Sequence, residues 1–105
     1  MSDRRTQIEA MLEDDPSDPF LRYSLALELE KEGNLAEALD LLDQLMQDDP
    51  PYVPAFHMAG QWLVQAGKAD EAREVLREGI ETARNQGKQH DAAEMSDLLT
   101  TIGAA

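Results

Sequence analysis

The chain has 105 residues, 42% of them hydrophobic but with only one Trp, two Tyr and two Phe, and its 22 acidic side chains outnumber nine basic ones for a net charge of −13. That balance excludes nucleic acid and anionic membranes as partners, and the lack of cysteine excludes disulfides and thiolate metal sites. No apolar run approaches the roughly 20 residues needed to span a bilayer, and the N-terminal MSDRRTQIEAML has no continuous apolar region of a secretory leader, so a cytoplasmic location is expected.

With so few aromatics the core must come from Leu, Ala and Met, which suits helices, and the length suits one domain. The first predicted helix falls within residues 3–14. It carries Ile8, Met11 and Leu12 at i, i+3 and i+4, an apolar face, and ends at Asp14-Asp15-Pro16, since the residue before proline is pushed out of helical angles. The second opens with Asp18 as N-cap and Pro19 at its first position. Its apolar residues, Phe20, Leu21, Tyr23, Leu25, Ala26, Leu27 and Leu29, cover more than one stripe. The helix must therefore either contact neighbours on two sides or leave apolar surface exposed. Gly33 is the expected left-handed residue beyond its end. Asn34 and Glu37 form a capping-box variant for the third helix, whose inward stripe is Leu35, Ala38, Leu39, Leu42, Leu45 and Met46.

Pro50-Pro51-Tyr52-Val53-Pro54 marks a hinge. The fourth helix then brings Ala55, Phe56, Ala59, Gly60, Leu63 and Val64, and stops at Gly67. A mid-helix glycine costs about 1 kcal/mol relative to alanine, so Gly60 implies close approach of a neighbouring helix. The fifth runs from about Ala69 to Arg84 with Ala72, Val75, Leu76, Gly79, Ile80 and Ala83 inward. After the Asn85–Lys88 loop, a last helix over 89–102 sets Ala92, Met95, Leu99 and Ile102 inward. Asp91, Glu94, Ser96, Asp97, Thr100 and Thr101 face out, solvating that end.

These segments repeat. Asp14-Asp15-Pro16 recurs as Asp48-Asp49-Pro50, and Gly33, Glu37, Ala38 and Leu42 recur as Gly67, Glu71, Ala72 and Leu76, each 34 residues on. That period marks stacked helix–turn–helix units. The expected fold is all-α, an α-solenoid of about six antiparallel helices in one domain. It comprises a capping helix (3–14), repeats at 18–50 and 52–85, and a terminal helix (89–102) that fits the pattern once two residues are inserted before it.

The pattern resembles the tetratricopeptide repeat family. One unit supplies Leu25, Ala26, Leu29, Gly33, Ala38, Leu42 and Pro50, and the next Phe56, Ala59, Gly60, Leu63, Gly67, Ala72 and Leu76. The second departs at Gly79, where alanine is usual, and at Arg84, where proline closes a unit. The resemblance implies a concave groove, lined by the first helix of each unit, that binds an extended peptide or helix of another protein. Its groove positions here are Tyr23, Leu27, Glu30 and Lys31, then His57, Gln61, Val64 and Gln65, and Asp97 and Thr100 on the terminal helix. Family members that grip chaperone tails use a lysine and asparagine clamp. This chain has Tyr23, Leu27, His57, Gln61, Ala93 and Asp97 at those positions, so chaperone-tail binding is not expected.

Tyr23 and Leu27, one turn apart, read equally well as a partner's apolar anchor or as packing under the capping helix. A lone His57 on a mixed face is most simply solvated, and Trp62, on the opposite side of its helix, is a packing residue. His57 and His90 without cysteine do not make a transition-metal site. The paired acids sit beside prolines at helix ends, where turn chemistry explains them. No phosphate loop, H-E-x-x-H, G-x-S-x-G or calcium-loop motif occurs, so catalysis, cofactors and metals are not expected. The leading expectation is a non-enzymatic adaptor. The alternative is a self-associating structural protein stacking through its terminal helices. The acidic surface reads as solubility or salt adaptation, with steering of a basic partner as the rival.

Overall fold

The computed structural model describes residues 3–103, and these form six helices: α1 (Asp3–Asp14), α2 (Pro19–Lys31), α3 (Leu35–Met46), α4 (Val53–Gln65), α5 (Ala69–Asn85) and α6 (Gln89–Ile102). No strand occurs among the described residues. The fold is an all-α helical repeat, and it divides into two compact units, one through Pro50 and one from Pro51.

In the first unit α2 packs against both α1 and α3. Asp18 starts α2 as its sequence suggests, its carboxylate accepting from the Leu21 amide at 3.0 Å, with Pro19 in the first turn. Gly33 ends it at φ +86°. The Gly33 amide donates to Glu30 O at 3.0 Å and the Asn34 amide to Leu29 O at 2.9 Å, the paired bonds of a Schellman closure. The core is Ile8, Ala26, Leu29, Ala38, Leu42 and Leu45.

Two expectations for this unit are corrected. Met11 does not join the inward face of α1: it is 50% exposed, while its repeat equivalent Leu45 is fully buried. Of the described helices α1 packs chiefly against α2, so only its Ile8 edge is covered. Asn34 makes no side-chain cap on α3: at φ −97° and ψ 60° it stands off the extended angles usual for a capping residue, and only its backbone serves the two helices. Its amide closes α2, and its carbonyl accepts from the Ala38 amide at 3.0 Å. The broad apolar face of α2 is in part solvated, with Phe20 61% exposed.

In the second unit α5 packs against α4 and α6, and α4 also meets α6. Val53, Phe56, Ala59, Trp62, Leu63, Leu76, Ile80 and Met95 build its core. The two helical glycines have steric reasons. A Cβ on Gly60 would lie 2.5 Å from Leu76 Cδ2, and one on Gly79 would lie 2.5 Å from Phe56 Cβ and 2.7 Å from Met95 Sδ. Gly79 is what lets α5 sit against both neighbours. Schellman closures recur at Gly67 and at Gly87, where the Lys88 amide donates to Ala83 O at 2.8 Å. Gln86 Nε2 donates to Pro51 O at 2.9 Å, tying the end of α5 to the segment before α4. Buried Arg73 pairs with Asp70 and donates to Gly103 O at 3.4 Å, a cation on the orphan carbonyls past α6.

Candidate interaction faces

The helix period puts residues i, i+4, i+7 and i+8 on one face. On α2 that face is Tyr23, Leu27, Glu30 and Lys31, and on α4 it is His57, Gln61, Val64 and Gln65. In α2, Tyr23, Leu27 and Glu30 are half-buried and Lys31 is exposed; in α4, His57 and Gln61 are half-buried while Val64, at 37%, and Gln65 are exposed. Position by position the two faces match at a 34-residue offset and keep the same accessibility at three of the four sites. Gln61 Nε2 and His57 Nε2 lie 3.3 Å apart in a hydrogen bond, so these two are brought together. On α6, Asp97 and Thr100 are both exposed, and the Thr100 hydroxyl donates to Ser96 O at 3.0 Å.

Opposite these faces the two units use different chemistry, which sequence reading missed. Glu28 occupies the position that Trp62 holds one repeat later, and each is only 5% exposed. The Glu28 carboxylate lies 3.3 Å from Lys31 Nζ and 3.9 Å from Arg4 Nε. Arg22 likewise stands where the next repeat has buried Phe56, and its Nη atoms meet the Asp48 carboxylate at 2.6 and 3.3 Å. Asp48 is therefore an ion-pair partner as well as part of a turn. The signal was available in the repeat register: a charged residue aligned with an aromatic that packs inward.

A third pair joins α1 to the end of α2, where Arg5 donates to Glu32 at 2.7 Å. That hydrogen bond holds the Arg5 pKa above its ordinary value. Burial opposes the shift, and the charges of Glu32, Glu9 and Glu37 add to it.

The charge is unevenly divided. The segment through Pro50 holds four basic and 14 acidic residues, a net −10, and the segment from Pro51 holds five and eight, a net −3. All four cations of the first unit are in ion pairs: Arg4, Arg5, Arg22 and Lys31. In the second unit Arg73 is paired, whereas Lys68, Arg77, Arg84 and Lys88 lie within 4.0 Å of no carboxylate among the described residues. No helix among the described residues is long and apolar enough to cross a membrane.

Comparison with known proteins places this architecture. A tetratricopeptide repeat family model matches residues 29–96. The TPR repeat-containing protein PA0015 of Pseudomonas aeruginosa is 26% identical over 98 residues, covering 93% of each chain. The solution structure of a tetratricopeptide repeat domain protein from Salinibacter ruber superposes with a TM-score of 0.79 at 36% identity, over 84% of this chain and 89% of that one. Protein BPP2914 from Bordetella parapertussis gives a TM-score of 0.79 at 25% identity, over 97% and 89% of the two chains.

Proposed function

We propose that this chain, which belongs to the tetratricopeptide repeat family, is a non-enzymatic adaptor that holds a peptide or helix of a partner protein. We read residues 1–105 as a single repeat domain of capping helix, two repeats and terminal helix, acting in the cytoplasm. The contacts are assigned to Tyr23, Leu27, Glu30 and Lys31 on α2, His57, Gln61, Val64 and Gln65 on α4, and Asp97 and Thr100 on α6. The observation that carries this reading is the accessibility of equivalent positions in both repeats, alongside neighbours such as Ala26, Leu29, Ala59 and Leu63 that are buried. Half-buried apolar side chains beside polar ones suit an anchor-and-rim surface, in which a few packed residues supply most of the affinity.

The test is recovery of partners by the 105-residue chain and its Leu27→Asp variant, with circular dichroism to establish that both are folded. Loss of recovery of about tenfold or more is expected; equal recovery removes Leu27 from the surface. Self-association is the second reading, favoured by the exposure of Met11 and Phe20 in the first unit. Sedimentation across salt concentrations separates the two, since a dimer that protects Phe20 from modification would favour assembly over the adaptor.

A further inference from the structure

We propose that the cleft between α5 and α6 is a second docking site, for an extended acidic peptide with two carboxylates three residues apart around an apolar centre. The site lies on faces other than those assigned above, touches them only at Thr100, and does not rest on that reading. Arg77, Ile80, Glu81 and Arg84 form one stripe of α5, and Ser96 and Leu99 one stripe of α6. The α5 stripe and Ser96 line a cleft of about 440 Å³ that continues, past Arg77 and Ser96, into another of about 300 Å³ lined by Leu99 and Thr100. This size falls within the range of ligand-binding clefts.

Charge defines the occupant. Arg77 and Arg84 are exposed and make no ion pair among the described residues, although Glu81 is spaced to reach either. In a chain this acidic, two arginines left open on one stripe are available to an outside carboxylate, and the fork of a guanidinium matches carboxylate geometry. The unit they belong to carries a net charge of only −3, so an anionic segment meets far less repulsion here than on the first unit. A second copy of this chain, at −13, is a poor occupant for the same reason.

Spacing defines the pattern. Seven helical residues separate the arginines by about 10.5 Å along α5. A polyproline II segment puts residues i and i+3 on one side about 9.3 Å apart. Glu81 lies between the arginines and would repel a carboxylate at the centre, while Ile80, which lines the cleft between them, offers apolar surface there. The match is acid, two apolar residues, acid.

The experiment is fluorescence anisotropy on the full chain with two labelled ten-residue peptides, one centred on Glu-Leu-Pro-Glu and one on Gln-Leu-Pro-Gln. The acidic peptide is expected to bind at least tenfold more tightly, and Arg77→Gln/Arg84→Gln to weaken it at least tenfold. The charge-matched Lys68→Gln/Lys88→Gln variant should change it by less than threefold. All four substituted cations are exposed, and circular dichroism checks that the fold is kept. Equal losses in the arginine and lysine variants would reduce the effect to overall charge and overturn the site. So would equal binding of the two peptides, or displacement of the acidic one by inorganic phosphate at matching concentration.

Discussion

Gly60 and Gly79 both lack a side chain because a neighbour fills the space, but the neighbours differ in how far they can yield. Opposite Gly60 stands fully buried Leu76, with Cδ2 at 2.5 Å and Cγ at 2.8 Å from an added Cβ, so that side chain must shift within the core; opposite Gly79 stands Phe56 Cβ, fixed next to its own backbone, with Met95 Sδ behind it. Gly60→Ala should therefore cost about 1 kcal/mol, overpacking against Leu76 being offset in part by the helix-propensity gain. Gly79→Ala should cost about 1–3 kcal/mol by overpacking, despite the same propensity gain. Denaturant midpoints of the two variants check the ranking, and a Gly79→Ala protein as stable as the parent would contradict it. The Gly79 departure noted from sequence thus has a cause: unit one has Arg22 and Leu45 at the repeat positions where unit two has Phe56 and Gly79. The close approach at Gly60 could be read from its alignment with Ala26. The clash at Gly79 could not, because it depends on where Phe56 meets α5.

Helix ends show the same division between what pattern reveals and what needs coordinates. Glycine after the last apolar turn is a direct report of backbone conformation, because a left-handed residue is strained for anything with a Cβ; Gly33 and Gly67 were legible for that reason. The Asn34 cap was not, because it rested on side-chain type alone. Lys68 and Lys88 occupy the same junction, and a lysine side chain has no acceptor to offer an amide. The junction therefore works without a side-chain cap. Asp18, which does accept the Leu21 amide, stands outside that junction. Asp18→Ala should accordingly lower stability by about 1 kcal/mol, and Asn34→Ala by no more than a few tenths. Thermal melts of the two variants decide it, and equal losses would restore a capping role to Asn34. The candidate faces are legible at this scale too, as four positions on each of two equivalent helices, but the cleft between α5 and α6 is not. Its walls come from helices whose order in sequence says nothing about which arginines remain unpaired.

For the molecule as a whole, self-repulsion at −13 opposes compaction and is screened by salt within about 10 Å at 0.1 M. We expect the melting temperature to rise with added sodium chloride, in keeping with our reading of the surface as salt-adapted. A flat or falling trend, measured by calorimetry from low to molar salt, would remove that reading. The 34-residue period gave the repeat fold away at once because every unit must bury the same stripes. The polar substitutions at Arg22 and Glu28 stayed hidden, since a stripe reading marks where apolar residues lie and passes over a charge that takes an apolar position.

The uneven charge gives this salt response an address. Repulsive energy grows as the square of the charge, so at comparable size the unit at −10 carries roughly ten times the self-repulsion of the unit at −3. Salt should thus slow amide hydrogen exchange in α2 and α3 while leaving the buried amides of α4 and α5 nearly unchanged. The first unit would then act as the part of the molecule that opens first in dilute buffer and closes as ionic strength rises.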